Sequence, residues 1–193
     1  MSEKYIYVEG RKIRYLHGGV GKPIVLLHGW SFNADTWVEA GIFQHLATRY
    51  EVSAIDMPYG LKSKSEHFKA ARVEYAKFLR RILDALGLVD PPLVGPSASG
   101  EVVLWYVALE MPTKAAVVIG PVGLVEELLS ALQKSQTPIL AIWGEKDHIS
   151  PPEKAALLKT KKTYIIKGAG HAAYLDKPDE FLNILFDFLK EVY

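Results

Sequence analysis

Leu93-Val94-Gly95-Pro96-Ser97-Ala98-Ser99-Gly100 is a short apolar run that breaks on small residues and passes directly into the helical pattern of Glu101 to Met111. Strand, tight turn and helix in that order is the setting in which a serine hydroxyl can be held up as a nucleophile. For Ser97 to project from such a turn the backbone must bend sharply, so the residues two positions away need almost no side chain. Gly95 meets that demand on one side; on the other, where G-x-S-x-G would place its second glycine, the chain has Ser99, followed at once by Gly100. Taking Ser99 as the nucleophile would put Ser97 and Glu101 at the glycine positions, so Ser97 is the better register. The competing reading is a plain strand-to-helix turn in which Ser97 serves as a helix N-cap.

The 193 residues suit a single domain, residues 1–193, large enough to bury a core without metals or disulfides. Lys+Arg 23 against Asp+Glu 22 leaves a formal charge of +1, so no single-sign field recruits nucleic acid or an anionic membrane. The absence of cysteine excludes a disulfide framework, thiol catalysis and thiolate metal sites together. The N-terminus, Met1-Ser2-Glu3-Lys4-Tyr5, is charged and leads into no apolar stretch of signal-peptide length, and nothing approaches the roughly 18 apolar residues of a membrane span. The expected location is the cytoplasm. The oligomeric state is not encoded legibly.

Along the chain, element types alternate. Tyr5 to Val8 and Lys12 to His17 alternate polar and apolar residues around Glu9-Gly10, an antiparallel hairpin signal. Short apolar runs follow at Pro23 to Leu27, Glu51 to Ile55, Pro92 to Val94, Ala115 to Ile119, Pro138 to Trp143 and Thr163 to Ile166, as expected of parallel strands covered on both faces. Helical periodicity lies between them at about Asp35 to Thr48, Phe68 to Leu86, Ser99 to Met111, Gly123 to Lys134, Pro152 to Leu158 and Pro178 to Val192. Ser150-Pro151-Pro152-Glu153 has capping-box spacing, and Asp176 is expected to cap the last helix. Strict alternation argues for an α/β fold with a mostly parallel central sheet, helices on both faces and right-handed crossovers.

Chemistry in such a sheet collects at the carboxyl ends of the strands. The third strand delivers His28-Gly29-Trp30 there, the fourth Asp56-Met57-Pro58-Tyr59-Gly60, the fifth Ser97, the seventh Gly144-Glu145-Lys146-Asp147 and the eighth Gly168-Ala169-Gly170-His171. A hydroxyl, a carboxylate and an imidazole thus arrive in the order Ser, Asp, His, the order expected of a triad on this kind of sheet.

On these landmarks the chain resembles the α/β-hydrolase superfamily over essentially its whole length. Within it, His28 to Trp37 (HGWSFNADTW) and the elbow Pro96 to Gly100 (PSASG) are similar to the small capless group of alpha/beta hydrolase domain-containing protein 14, where a Pro-Ser-x-Ser-Gly elbow is usual. The resemblance implies Ser97 as nucleophile, His171 as general base and acid, and Asp147 as the group that orients and stabilises the imidazole. It also implies an oxyanion hole made by the backbone N–H groups of Trp30 and Ala98. Family spacing favours Asp147 over Glu145. His28 is expected to shape the oxyanion turn, and Asp56 to hold a structural one. His17, His45, His67 and His148 lack a matching context. Metal-ligand spacing is absent and no glycine-rich run ends as a phosphate loop does, so no cofactor and no metal are implied.

Many members of the superfamily carry a helical cap after the sixth strand. Here only about eighteen residues separate Ile119 from Pro138, room for one helix and a turn. An open site without a cap domain is expected, bounded by Trp30, Phe32, Tyr59, Val122, Ile149 and Tyr174, each of which could equally be core or rim packing. Such a site suits hydrolysis of small, soluble, short- to medium-chain carboxylic esters through an acyl-enzyme. Thioester, lactone and amide cleavage, deacetylation among them, share the same intermediate. A non-catalytic binding or regulatory protein on the same scaffold is the alternative of a different class.

Overall fold

The computed structural model describes residues 1–158 and 162–193. Its strands are β1 (Ser2–Val8), β2 (Arg11–Gly18), β3 (Lys22–Leu27), β4 (Tyr50–Ile55), β5 (Leu93–Pro96), β6 (Ala116–Ile119), β7 (Ile139–Gly144) and β8 (Lys162–Ile166). They form one eight-stranded sheet in the order β1-β2-β4-β3-β5-β6-β7-β8. From β4 across to β8 every neighbouring pair is parallel, while β1–β2 and β2–β4 are antiparallel. Glu9 and Gly10, with φ of 52° and 79°, make the two-residue hairpin turn between β1 and β2.

The helices are α1 (Asp35–Glu39), α2 (Ile42–Ala47), α3 (Arg72–Ala85), α4 (Ala98–Ala108), α5 (Glu126–Leu132), α6 (Ala155–Leu158), α7 (Ala173–Asp176) and α8 (Pro178–Val192). Successive strand side chains point to opposite faces, so the apolar run of β3 feeds two cores: Val25 and Leu27 join the layer of α3, α4 and α5, and Ile24 and Leu26 join that of α1, α2, α7 and α8. On one face, Tyr75, Phe78, Leu79, Ile82 and Leu83 bury the apolar stripe of α3; on the other, Phe181, Leu182, Leu185, Phe188 and Leu189 bury that of α8. The segment between β6 and β7 holds α5 and no cap. Among the described residues, no helix is long and apolar enough to cross a membrane.

Local departures from the sequence expectations have tertiary causes. The helix expected over Asp35 to Thr48 is two pieces, because Gly41 takes a left-handed φ of 72° between them. The helix expected from Phe68 begins at Arg72: Phe68 stays in the preceding loop, where its carbonyl accepts from the Tyr75 hydroxyl at 2.5 Å and its ring packs edge-on to Phe78. Ser150 caps nothing, since its hydroxyl donates to Pro121 O at 2.7 Å. Asp176 does not cap α8 either; its carboxylate accepts the Gly170 N–H at 2.7 Å, and α8 starts without a side-chain cap.

An ionic cluster around a buried arginine fixes the hairpin to the sheet. Arg14 of β2 is 1% exposed and reaches Glu3, Asp35 and Asp56 at 2.7, 2.5 and 3.1 Å. Asp56, fully buried after β4, also accepts the N–H groups of Ala34 at 2.6 Å and Lys64 at 3.0 Å. It ties strand β2 and the loop after β3 to its own loop after β4.

Candidate active site

The connections leaving β3 and β5 diverge to opposite sides of these adjacent strands, the switch point at which such sheets bind ligands beyond the carboxyl ends of the strands. Ser97 follows β5 with φ 52° and ψ −116°, a left-handed conformation that costs a non-glycine residue about 1–3 kcal/mol. The strain is held by three bonds: Ser97 N–H donates to Ile119 O at 2.8 Å, and Ser97 O accepts from Glu101 N–H at 3.2 Å as α4 begins and from Val122 N–H at 3.4 Å. A Cβ on Gly95 would lie 2.5 Å from the Ser99 carbonyl oxygen, so the bend admits no side chain there. Ser97 occupies the N-cap position of α4, yet its hydroxyl makes no capping bond.

That hydroxyl instead lies 2.9 Å from Nε2 of His171, and Nδ1 of the same ring lies 2.8 Å from Oδ2 of Asp147. An ionised carboxylate only accepts, so the ring proton belongs on Nδ1 and Nε2 keeps a lone pair for the serine proton. The other Asp147 oxygen accepts the N–H groups of Ile149 at 2.9 Å and Ser150 at 2.8 Å, which fixes the carboxylate plane. Asp147 is 2% exposed, whereas His171 and Ser97 are part-exposed. Gly120, at φ 49°, makes room for the pair, because a Cβ there would stand 2.7 Å from Asp147 Oδ2 and 3.2 Å from His171 Nδ1. Glu145 faces elsewhere: its carboxylate accepts the Gly168 N–H at 2.9 Å and braces the loop that carries His171.

The candidate oxyanion donors come from the start of α4 and from the turn after β3, where a Cβ on Gly29 would lie 3.9 Å from Ser97 Cβ. Ala98 N–H opens α4, and Trp30 N–H belongs to the turn after β3; among the described residues no backbone or side-chain group takes either one. The turn is pinned by the Phe32 N–H to Gly29 O bond at 3.0 Å and the Leu61 N–H to Trp30 O bond at 2.8 Å. His28, fully buried, accepts the Met57 N–H on Nε2 at 3.0 Å, so its proton sits on Nδ1 and points to Gly29 O at 2.9 Å. Burial pushes the His28 pKa down, keeping the ring neutral, and both nitrogens are occupied. It is a structural histidine. Of the remaining histidines, His45, His67 and His148 are exposed and His17 lies on β2.

The residues expected to line a pocket divide. Phe32 is half-buried and closes over Gly29, where an added Cβ would lie 3.3 Å from its ring and 3.9 Å from Ser97 Cβ. Val122 is half-buried with its N–H 3.4 Å from Ser97 O, and Ile149 is 65% exposed beside Asp147. Tyr59 is corrected to a buried support: it is 2% exposed, its ring stacks on Trp30 at 6.2 Å and 7°, and burial pushes its phenol pKa up. Tyr174 is corrected to a core residue, 1% exposed and 4.6 Å from the Trp37 ring. An aromatic near a motif reads the same in sequence whether it faces a cleft or a core.

Arg72 and Ser99 escaped assignment. The Arg72 guanidinium lies over the rings of Trp30 at 5.1 Å and Tyr59 at 5.4 Å, and its Nε is 3.5 Å from the Glu101 carboxylate. Burial raises the Glu101 pKa against the pull of Arg72. Nothing local marks Arg72, because its neighbours come from three other segments. Ser99 did carry a signal, as the departure from the glycine pattern, and its hydroxyl bonds to His28 O and to the Tyr59 hydroxyl.

Comparison with known proteins agrees with this architecture. Residues 22–131 match the family model described as the alpha/beta hydrolase fold. The chain is 32% identical to ABHD14B of Rattus norvegicus, whose name proposes protein-lysine deacylase activity, over 100% of this chain and 97% of that one. It is 37% identical to ABHD14A of Danio rerio over 88% of this chain and 64% of the relative's length. Among solved structures, a predicted CIB-like hydrolase of Thermoplasma acidophilum superposes with a TM-score of 0.87 at 28% identity, covering 98% of both chains. The naproxen esterase of Bacillus subtilis, at 17% identity, shares the fold with a TM-score of 0.85, covering 97% of this chain and 91% of its own. The chain belongs to the α/β-hydrolase fold family, and within it to the group that includes ABHD14A and ABHD14B.

Proposed function

We propose that the protein is a serine hydrolase that cleaves short- to medium-chain carboxylic esters through an acyl-enzyme on Ser97. The observation that carries this reading is the continuous relay from Ser97 Oγ to His171 at 2.9 Å and from His171 to Asp147 at 2.8 Å. Ser97 Oγ attacks the substrate carbonyl carbon as its proton passes to His171 Nε2; the oxyanion is met by Trp30 and Ala98 N–H. Collapse breaks the bond to the alkoxy group, which leaves with the proton from His171. Water then repeats the sequence, giving up a proton to His171, releasing the acid and restoring the Ser97 hydroxyl. Asp147 keeps the imidazole in the working tautomer and stabilises its cation. Each oxyanion donor is worth about 3 kcal/mol of barrier.

The uncapped site, bordered by Trp30, Phe32, Val122 and Ile149, suits a small soluble ester as substrate. Stopped-flow release of p-nitrophenol from esters of increasing acyl length tests the reading. The expected result is a burst of one equivalent with acetate to medium-chain esters and none in Ser97→Ala. Absence of both burst and turnover in folded protein would favour a non-catalytic role.

A second reading is removal of acyl groups from protein lysine, which the ABHD14B relatives' names suggest and an open site accommodates. The same acyl-enzyme would form with an amine as leaving group. Acetyl-lysine peptide assayed beside the ester panel separates the two, since preference for one substrate class shows in kcat/KM.

A further inference from the structure

We infer that Ser99 and Tyr59 are positioning residues for the oxyanion hole: by holding His28 O, one peptide before the plane that carries Trp30 N–H, they fix the turn that presents that donor. The inference rests on the acyl-enzyme reading above and extends it to residues that never touch the substrate.

Three successive carbonyls of the turn are held by different parts of the chain. His28 O accepts from the Ser99 hydroxyl of α4. Gly29 O accepts from Phe32 N–H at 3.0 Å and from His28 Nδ1 at 2.9 Å, and Trp30 O accepts from Leu61 N–H at 2.8 Å. The Trp30 N–H shares its rigid peptide plane with Gly29 O, so aiming that carbonyl one way aims the N–H the other. Of these restraints, only Ser99 couples the turn to α4, the helix whose first residue supplies the second donor, Ala98.

The proton directions follow from counting. Ser99 has one hydroxyl proton, and His28 O can only accept, so that proton goes to His28 O. The 2.5 Å contact with Tyr59 must then use the tyrosine proton, with Ser99 Oγ accepting. Tyr59 thereby fixes the Ser99 rotor, while its ring supports Trp30 from below at 6.2 Å and 7°. Ser99 is fully buried and Tyr59 2% exposed, so water cannot replace either partner without repacking. A glycine at position 99 would satisfy the bend but leave His28 O without this donor. The departure from G-x-S-x-G therefore adds a donor that glycine could not supply.

A donor aimed at where charge develops acts on the transition state and not on ground-state binding. Ser99→Ala and Tyr59→Phe are to be assayed with p-nitrophenyl acetate, alongside affinity for a trifluoromethyl ketone that traps Ser97 as a tetrahedral adduct. Ser99→Ala should lower kcat roughly 10- to 100-fold with KM nearly unchanged, and weaken the ketone by a similar factor. Tyr59→Phe should lower kcat about threefold, with the same pattern. The burst of one equivalent should remain in both, because the nucleophile is intact.

If wild-type protein turns over and both variants keep wild-type kcat while only their melting temperature falls, the two residues are merely structural and the inference is overturned. Loss confined to KM overturns it as well. If Ser99→Ala fails to fold, Tyr59→Phe decides alone: unchanged kcat refutes the inference and a fall in kcat without a change in KM supports it. If wild-type protein forms no acyl-enzyme at all, the underlying reading falls first, and this inference with it.

Discussion

Asp56 and Asp147 are built almost alike. Each follows a sheet strand, β4 and β7 respectively, each is buried, and each accepts two backbone N–H groups. They differ in the remaining partner. Asp56 faces the Arg14 guanidinium, which keeps its proton at any working pH; Asp147 faces the imidazole of His171, which can gain and lose one. Burial and hydrogen bonding alone therefore do not mark a catalytic carboxylate. A permanently charged partner makes a fastener, and a titratable one that also meets a serine hydroxyl is what the proposed relay needs.

Exchanging each carboxylate for its amide is the sharpest way to break that contrast. Asp147→Asn should lower kcat by about 10⁴-fold, because an amide can stabilise the wrong imidazole tautomer, while the melting temperature moves little. Ser97→Ala, His171→Ala and Asp147→Asn should be strongly non-additive, the first alone costing nearly as much as all three. Steady-state rates on one ester check both statements, and independent additive losses would dissolve the relay.

Asp56→Asn should do the reverse. It leaves Arg14 buried with one carboxylate fewer, at a cost of about 3 kcal/mol, and kcat per folded molecule should hold. Thermal unfolding should show a midpoint lowered by roughly 6–12 °C for a chain of this size. A large loss of kcat with unchanged stability would mean that the fastener takes part in the chemistry.

The smallest effect concerns the same cluster in acid. Burial raises the Asp35 pKa, but the bonds from Arg14 and Lys64 outweigh it and the net direction is down; Glu3 is lowered by its bonds to Tyr5 and Arg14. Folded pKa values below the unfolded ones mean that this stabilisation is complete above the ordinary carboxylate pKa of about 4 and is lost as pH falls through the folded values. The melting temperature of Asp35→Asn should therefore fall less steeply than that of wild type on the acid side and run parallel to it near neutrality. Parallel curves throughout would remove Asp35 from the account.

The meeting of Ser97, His171 and Asp147 was readable in the chain because strand ends are local signals: an apolar run followed by Gly95-Pro96-Ser97, Gly144 to Asp147 or Gly168 to His171 says where a loop residue will stand. The parallel sheet followed from the same runs. What escaped depends on contacts between distant segments. Ser99 looked like an imperfect glycine because its partner, His28 O, lies 71 positions away, and Tyr59 and Tyr174 were indistinguishable from cleft residues until packing assigned them to the interior. The single helix expected over Asp35 to Thr48 failed at Gly41, whose left-handed turn the apolar periodicity does not report. Asp176 had the spacing of a cap, but the Gly170 N–H beside His171 was the donor within reach.

On the proposed mechanism the His171 partner turns the Ser97 hydroxyl into a nucleophile while Asp56 plays no part. Reaction with a fluorophosphonate, followed by mass spectrometry of the intact chain and its peptides, tests it most directly. One adduct is expected, on Ser97, formed at the wild-type rate in Asp56→Asn, far more slowly in Asp147→Asn and not at all in Ser97→Ala. Folded wild-type protein that stays unmodified, or an adduct on any other residue, would contradict it.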